Sequence, residues 1–304
     1  MKKSKLIITA GTGFLGNVLS DYFQDKYDQI VILTRSKPKS QKNIRYVNWD
    51  AKTLTGWEKE LENSDVVINL AGKSVDCRYT EKNKAEILAS RIDSTKILNE
   101  AILQCENPPK HFINSSTATI YRHSEDKEMD EYLGEIGNDF SMNVAKSWEK
   151  TFYEVETPNT LKTAIRTSIV LGKNGGAFVP LKKLTQLGLG GKNGNGRQFI
   201  SWIHEKDFAR AVEFIIEKKL SGSVNVVSPK PIHNEAFMKK LQKAIGIPFG
   251  LPISKTLLEF GAKIIKTETE LVLKSRNVIP KRLTENGFEF EFGDLEKTFK
   301  NLLS

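Results

Sequence analysis

Gly11, Gly13 and Gly16 stand at G-x-G-x-x-G spacing in the run Gly11-Thr12-Gly13-Phe14-Leu15-Gly16. The apolar stretch Lys5–Ala10 precedes them, and Leu15, Val18, Leu19, Tyr22 and Phe23 follow at helical intervals. Strand, glycine turn and helix in that order form a phosphate cradle. The glycines let backbone approach a pyrophosphate, and the helix N-terminus offers unpaired N–H groups and the positive end of its dipole. The second apolar run, Gln29–Thr34, leads into Arg35-Ser36-Lys37. A carboxylate there would hold a ribose 2′-hydroxyl, and none is present. Arg35 can fork onto a 2′-phosphate with Thr34, Ser36 and Lys37 beside it, so the turn predicts NADP(H) rather than NAD(H). Asp50 follows the third strand, where it can accept a hydrogen bond from an adenine amino group. Leu70, Ala71 and Gly72 close the fourth strand and leave room for the ribose-nicotinamide half.

These residues need a scaffold, and the hydrophobic pattern supplies one. Short strands are predicted at Lys5–Ala10, Gln29–Thr34, Arg45–Val47, Asp65–Leu70 and His111–Ser115. Ala85, Leu88, Ile92, Thr95, Leu98, Ile102 and Cys105 step by three or four and predict a long amphipathic helix before the fifth strand. Phe140, Val144, Trp148 and Phe152 mark another helix, and Thr163–Leu171 another strand. Apolar strands alternating with helices predict an α/β fold with a doubly wound parallel sheet. Gly188–Gly196, with five glycines, is expected to be a mobile loop. Asp207–Glu217 predicts a helix and Ser223–Val227 a strand, and from Ser228 the pattern is mostly helical, broken by prolines. The expected division is a dinucleotide-binding domain over 1–170, with a strand and helix returning from about 204–227. A smaller, mostly helical substrate-side subdomain occupies 171–304 and includes a C-terminal unit at about 250–300.

Composition narrows the function classes. The 304 residues carry a formal net charge of +9, from 46 Lys+Arg against 37 Asp+Glu. Only ten of the basic residues are Arg, and the lysines are spread along the chain near acids. Nucleic-acid readers cluster basic residues and favour Arg, so a solvated lysine surface is expected and no nucleic-acid partner. No apolar run reaches the roughly 18 residues of a membrane span, and the N-terminal run is too short for an export signal. A cytoplasmic monomer or homodimer acting on an unidentified small molecule is expected. Two Cys and four scattered His form neither a disulfide framework nor a metal-ligand spacing.

The glycine turn, Asn69-Leu70-Ala71-Gly72 and Ser115-Ser116-Thr117-Ala118-Thr119-Ile120-Tyr121 together resemble the extended short-chain dehydrogenase/reductases. Trp148-Glu149, Arg166, Gly188-Leu189-Gly190-Gly191, Trp202-Ile203-His204 with Asp207, Asn225-Val226-Val227-Ser228-Pro229 and Ile279-Pro280-Lys281-Arg282-Leu283 narrow the match. Over essentially the whole chain it is similar to the atypical epimerase-family proteins, the SDR39U1-like and YfcH-like group, with their C-terminal domain of unknown function. The resemblance implies a Rossmann-type fold, bound NADP(H) and a nucleoside-diphosphate-sugar epimerase or oxidoreductase type of chemistry on a carbonyl or sugar-like substrate. Three positions depart from the wider pattern. Ala10 replaces the first glycine, and Arg122 follows Tyr121 where glycine is usual. Met142 takes the tyrosine position of Tyr-x-x-x-Lys, with Lys146 retained. A thioether cannot transfer a proton.

The resemblance places Thr117 where a substrate carbonyl is polarised and Lys146 on the nicotinamide ribose. It places Arg91, Tyr121, Met142, Arg197 and Trp202 on the substrate side. Arg91 either meets a carboxylate or phosphate or is a helix-surface charge, and Tyr121 either packs or serves as the replacement acid. His204 either caps the helix at Asp207 or does acid/base work. Lys281 and Arg282 either anchor an anion or face solvent. The missing tyrosine leaves a second reading open: a catalytically weak or inactive NADPH-sensing interaction protein, linked through some relatives to cell division.

Overall fold

A computed structural model describes residues 3–36, 39–40, 42–254, 256, 268 and 273–304. Its centre is a seven-stranded sheet made of β1 (Lys3–Thr9), β2 (Tyr27–Thr34), β3 (Ile44–Asn48), β4 (Val66–Asn69), β5 (His111–Thr117), β6 (Leu161–Thr167) and β11 (Gly222–Val226), in the order β11-β6-β5-β4-β1-β2-β3. All six pairings are parallel. The order reverses between β1 and β4, so a crevice opens at the carboxyl ends of these strands, where doubly wound sheets take their ligands.

Alternation along each strand builds the two faces. Leu6 and Ile8 of β1, Ile30 and Ile32 of β2, and Val66 and Ile68 of β4 face one apolar cluster. Ile7, Val31, Leu33 and Val67 face the other. α1 (Phe14–Phe23) and α5 (Glu205–Glu217) cover the first cluster; α2 (Glu81–Leu103) and α3 (Phe140–Tyr153) cover the second. Strands buried on both faces read as continuous apolar runs, which is why they were visible in the sequence.

A second core lies beside the sheet, where Leu171, Phe178, Trp202, Phe237, Leu241, Leu295 and Phe299 pack together. α4 (Phe178–Gln186), α6 (Asn234–Ile245) and a C-terminal helix, α8 (Leu295–Leu303), supply most of it. A short helix, α7 (Lys281–Glu285), precedes α8 among the described residues. The small strands β7 (Ile169–Gly172), β8 (Gly175–Gly176) and β10 (Trp202–His204) form a separate three-stranded sheet, and β9 (Phe199–Ile200) pairs with β12 (Ile232–His233).

Three expectations change. The single strand expected over Thr163–Leu171 is two strands: β6 stays in the main sheet, and the chain crosses at Ser168 to join β10 as β7. The glycine-rich run 188–196 is laced down rather than loose. Leu251 N donates to Gly188 O at 2.8 Å, Gly194 N to Ile253 O at 2.9 Å and Gln242 Nε2 to Gly190 O at 2.6 Å. In α2 the buried face follows the apolar ladder at Thr95, Leu98 and Ile102 and departs from it elsewhere. Ala85 is exposed, whereas Ile87, Ser94, Thr95, Leu98, Asn99 and Ile102 are buried. Small polar residues are buried there because they meet polar partners: Asn69 donates to Thr95, and Asn99 to the Thr151 carbonyl at 3.1 Å.

Candidate functional site

The crevice at the β1/β4 switch is a cleft of about 540 Å³. Thr12, Thr34, Arg35, Ser36, Asp50, Ala71 and Gly72, chosen from spacing alone, all line it. Ala10 lines it too. Gly11, Gly13 and Gly16 of the same turn do not themselves line it, and each meets a different steric demand. A Cβ on Gly16 would strike the Gly11 backbone at 2.3 Å, and one on Gly11 would meet Ile32 at 2.9 Å. A Cβ on Gly13 would meet only the Ala10 carbonyl, at 3.7 Å, so the turn is open on that side. Gly13 is the N-cap of α1, and no side chain caps it. The first-turn N–H groups therefore lack a side-chain acceptor, which an anionic ligand would supply. These features fit a dinucleotide diphosphate.

On the β2 side, Thr12 and Thr34 hydroxyls lie 3.3 Å apart, and Ser36 N donates to Thr34 Oγ1 at 3.2 Å. The exposed Arg35 makes no hydrogen bond or ion pair with a described residue, so its guanidinium is uncommitted. Lys37 lies outside the described residues. Asp50 lines the cleft, but its carboxylate closes a local turn, accepting from Lys52 N at 2.8 Å, Thr53 N at 2.9 Å and Thr53 Oγ1 at 2.6 Å. The Thr53 hydroxyl and these backbone amides hold its pKa below the usual carboxylate range.

Phe14 and Leu15 turn away from the opening. The Phe14 ring lies under the β7–β8 hairpin, where a Cβ on Gly172 would approach it to 2.3 Å. Leu15 and Leu70 are half-buried against the core on the α1 face. Both were expected at the cofactor, and neither side chain lines the cleft.

The candidate catalytic residues are more scattered. Thr117 Oγ1 accepts from Thr119 N at 3.1 Å and starts a short 3-10 turn. Lys146 Nζ donates to Asn138 Oδ1 at 2.6 Å. Met142 is buried, with its sulfur against Gly137, which has no side chain to displace it. Four residues on the expected substrate side resolve differently. Tyr121 is fully buried, its hydroxyl donating to Asn225 Oδ1 at 2.9 Å and accepting from Arg166 Nη1 at 2.8 Å. Burial first of all pushes its pKa up, so it is a poor acid/base group. Trp202 is buried in the second core and faces no opening. Arg197 is exposed, 3.7 Å from Glu125. Arg91 stands behind Gly72 at the cleft wall.

His204 takes the capping role. Its Nδ1 accepts from Lys206 N at 3.0 Å, and Nε2 pairs with Asn301 at 3.1 Å. Burial pushes its pKa down to about 4, so the ring is neutral. Lys281 reaches Asp130 at 3.4 Å, and Arg282 donates to the Ser221 and Ser223 carbonyls, both at 2.7 Å. Both act as internal ties.

Sequence reasoning missed the far wall of the cleft. Glu86, Ala89, Ser90 and Asp93 of α2 line it. Their i, i+3, i+4, i+7 spacing marks one helical face, a signal hidden because only the apolar ladder was followed. It also missed a buried network joining β5, α3, β6 and β11. Arg166 pairs twice with Glu149, at 2.8 and 2.7 Å, while Ser116 and Ser223 donate to the same carboxylate. Among the described residues no cluster of His, Cys, Asp and Glu could hold a metal, and no helix is long and apolar enough to cross a membrane.

Comparison with known proteins follows the same lines. Residues 6–142 match the NAD dependent epimerase/dehydratase family, and residues 259–302 match a domain of unknown function, DUF1731. The chain is 34% identical over 304 residues to the epimerase family protein YfhF of Bacillus subtilis, covering 98% of each. It is similar to the crystal structure of human epimerase family protein SDR39U1 (isoform 2) with NADPH, with a TM-score of 0.85, 26% identity and 98% of each chain covered. It is also similar to a nucleoside-diphosphate sugar epimerase from Corynebacterium glutamicum, with a TM-score of 0.78 and 25% identity. That match covers all of this chain and 58% of the other. With this full-length likeness and the strand order above, the chain belongs to the epimerase family, with an N-terminal NAD dependent epimerase/dehydratase match and a separate C-terminal DUF1731 match.

Proposed function

We propose that the protein binds NADP(H) in the β1/β4 cleft and acts on a carbonyl or nucleoside-diphosphate-sugar-like substrate as an oxidoreductase or epimerase. The observation that carries this reading is the convergence of an open glycine turn and an uncommitted Arg35 on one cleft. The NADPH held by the human SDR39U1 structure supports it. Gly13 and the first turn of α1 would receive the diphosphate. Arg35, with Ser36 beside it, would pair with the 2′-phosphate, where a bidentate guanidinium is strongest. NADP(H) would supply hydride chemistry, which the side chains here cannot.

Thr117 would orient the substrate carbonyl through its hydroxyl. Lys146 would reach the nicotinamide ribose by exchanging its bond to Asn138. Proton transfer then falls to a water or a substrate group, since Met142 has no exchangeable proton and Tyr121 is sealed. The test is NADPH oxidation and NADP⁺ reduction against panels of carbonyls and sugar nucleotides. Turnover lost in Thr117→Val supports the enzyme reading. Tight NADPH binding with no turnover on any substrate removes it.

The sealed tyrosine and the Met142 thioether also favour a second reading, a cofactor-dependent interaction protein. It predicts partners captured differently by the NADPH-bound and NADP⁺-bound forms. Identical sets from both forms contradict it.

A further inference from the structure

Five large apolar side chains stand exposed where the end of α4 meets the loop after α6. Leu184, Leu187 and Leu189 come from α4 and the glycine-rich run, and Phe249 and Leu251 from the loop. Leu187, Phe249 and Leu251 are 74%, 66% and 58% exposed. Single apolar residues on a surface need no explanation, but a contiguous group marks a contact site. The backbone makes this group contiguous. Leu251 N donates to Gly188 O at 2.8 Å, and Gly191 N to Leu251 O at 3.2 Å. A Cβ on Gly191 would strike the Leu251 backbone at 2.4 Å, and one on Gly250 the Gly190 backbone at 2.6 Å. Glycine lets the two segments touch, and together they form one fixed ridge.

Its charge is one-sided. Residues 174–204 contain no Asp or Glu, and neither do residues 236–254. Lys183, Lys192 and Lys243 are exposed and Lys182 is half-buried, and none of the four makes an ion pair with a described residue. Glu235 and Glu296 are taken up by Lys239 and Lys240, at 2.9 and 2.6 Å.

These features select the occupant. A second copy would set this cationic face against itself across a two-fold axis, like charge on like. A lipid surface with anionic headgroups satisfies both the apolar tips and the lysines beside them. The backbone points the same way, because an apolar medium accepts only peptide groups that are already paired. Leu187 N donates to Lys183 O at 3.1 Å, and Gly188 N to Thr185 O and Leu189 N to Leu184 O, both at 3.0 Å. The amides of Gly191 and Leu251 are paired as above.

We propose that this ridge seats the protein on an anionic membrane surface, its leucines and Phe249 entering the boundary between headgroups and acyl chains while the lysines meet lipid phosphates. The contact is peripheral and is independent of what the cofactor cleft binds.

Co-sedimentation of the full chain with lipid vesicles tests the proposal. One set is phosphatidylcholine with about a third phosphatidylglycerol, the other phosphatidylcholine alone. The wild type is expected to bind the anionic set about tenfold or more tightly than the neutral set. Leu187→Gln with Phe249→Gln removes the apolar tips, and Lys182→Gln with Lys183→Gln and Lys243→Gln removes the charge. Each variant is expected to bind the anionic set about fivefold or more weakly than the wild type. Phe249→Trp keeps the ridge apolar; it should retain binding and shift its emission to the blue on anionic vesicles, and it serves if the glutamine variants do not fold. A wild type that ignores anionic vesicles, binds both sets equally, or is matched by either glutamine variant overturns the proposal. A concentration-dependent dimer that Phe249→Gln abolishes also overturns it, since a second copy then covers the ridge. So does an acidic protein held through Phe249 by a chain that ignores both vesicle sets.

Discussion

Ala10 holds φ at +51°, in the left-handed region, where the wider family pattern has glycine. A methyl group there costs roughly 1–2 kcal/mol, and glycine's extra unfolded-state freedom returns about half of that. The expected result is that Ala10→Gly raises the unfolding free energy by about 0.5–1 kcal/mol, read from urea denaturation. An unchanged or lower midpoint contradicts it. An alanine is unstrained where φ is negative; here φ is positive, so the residue is strained. His204 gives a pH signature at the same scale. Its folded pKa of about 4 lies below the ordinary 6.5 because burial disfavours the charged ring. Between these values the unfolded state binds more protons, so stability is complete above about pH 6.5 and falls as pH drops towards 4. The contribution is on the order of 3 kcal/mol. His204→Asn keeps an N-cap acceptor and is expected to flatten the slope in that window. A slope identical to the wild type's would remove the assignment.

At the scale of elements, the Glu149–Arg166 pair fixes α3 against β6, with side chains about one-tenth exposed. Burial opposes the Arg166 charge, but the Glu149 hydrogen bonds outweigh it and raise the pKa. Breaking such a pair from one side leaves a buried charge. Arg166→Met is therefore expected to cost about 3–5 kcal/mol, and the double replacement with Glu149→Met much less. Equal losses in the single and double variants, measured by denaturation, contradict this account. The pair also shows what the sequence hides. Glu149 and Arg166 were visible as a family resemblance, but their contact runs through tertiary packing that no spacing reports. The parallel strands were legible because burial on both faces leaves long apolar runs. The α2 face was only partly legible because its buried residues include Ser94 and Asn99, which no hydrophobic ladder picks out. The break at Ser168 was invisible because the two strands meet with no glycine or proline between them to signal a turn.

Over the whole molecule, part of the basic excess behind the net charge of +9 is taken up in local ties. Lys26 pairs with Glu213, Lys110 with Asp65, Lys127 with Glu135 and Lys240 with Glu296. Such exposed pairs contribute little stability, about 0–1 kcal/mol each. Arg35 at the cleft rim and Arg91 behind its wall have no acidic partner among the described residues. The cleft lining was legible at Thr12, Thr34, Arg35 and Ser36 because these fall on short local motifs. The expected substrate side was not, because the places of Tyr121, Trp202 and Arg197 are set by tertiary packing. The most direct measurement is the pair of dissociation constants for NADPH and NADH, in the wild type and in Arg35→Ala. A charge-assisted guanidinium–phosphate pair of about 1.5–3 kcal/mol predicts NADPH binding at least tenfold tighter in the wild type. The two affinities should then come within threefold of each other in the variant, with NADH unchanged. Equal affinities in the wild type, or an undiminished NADPH preference without Arg35, would contradict the account.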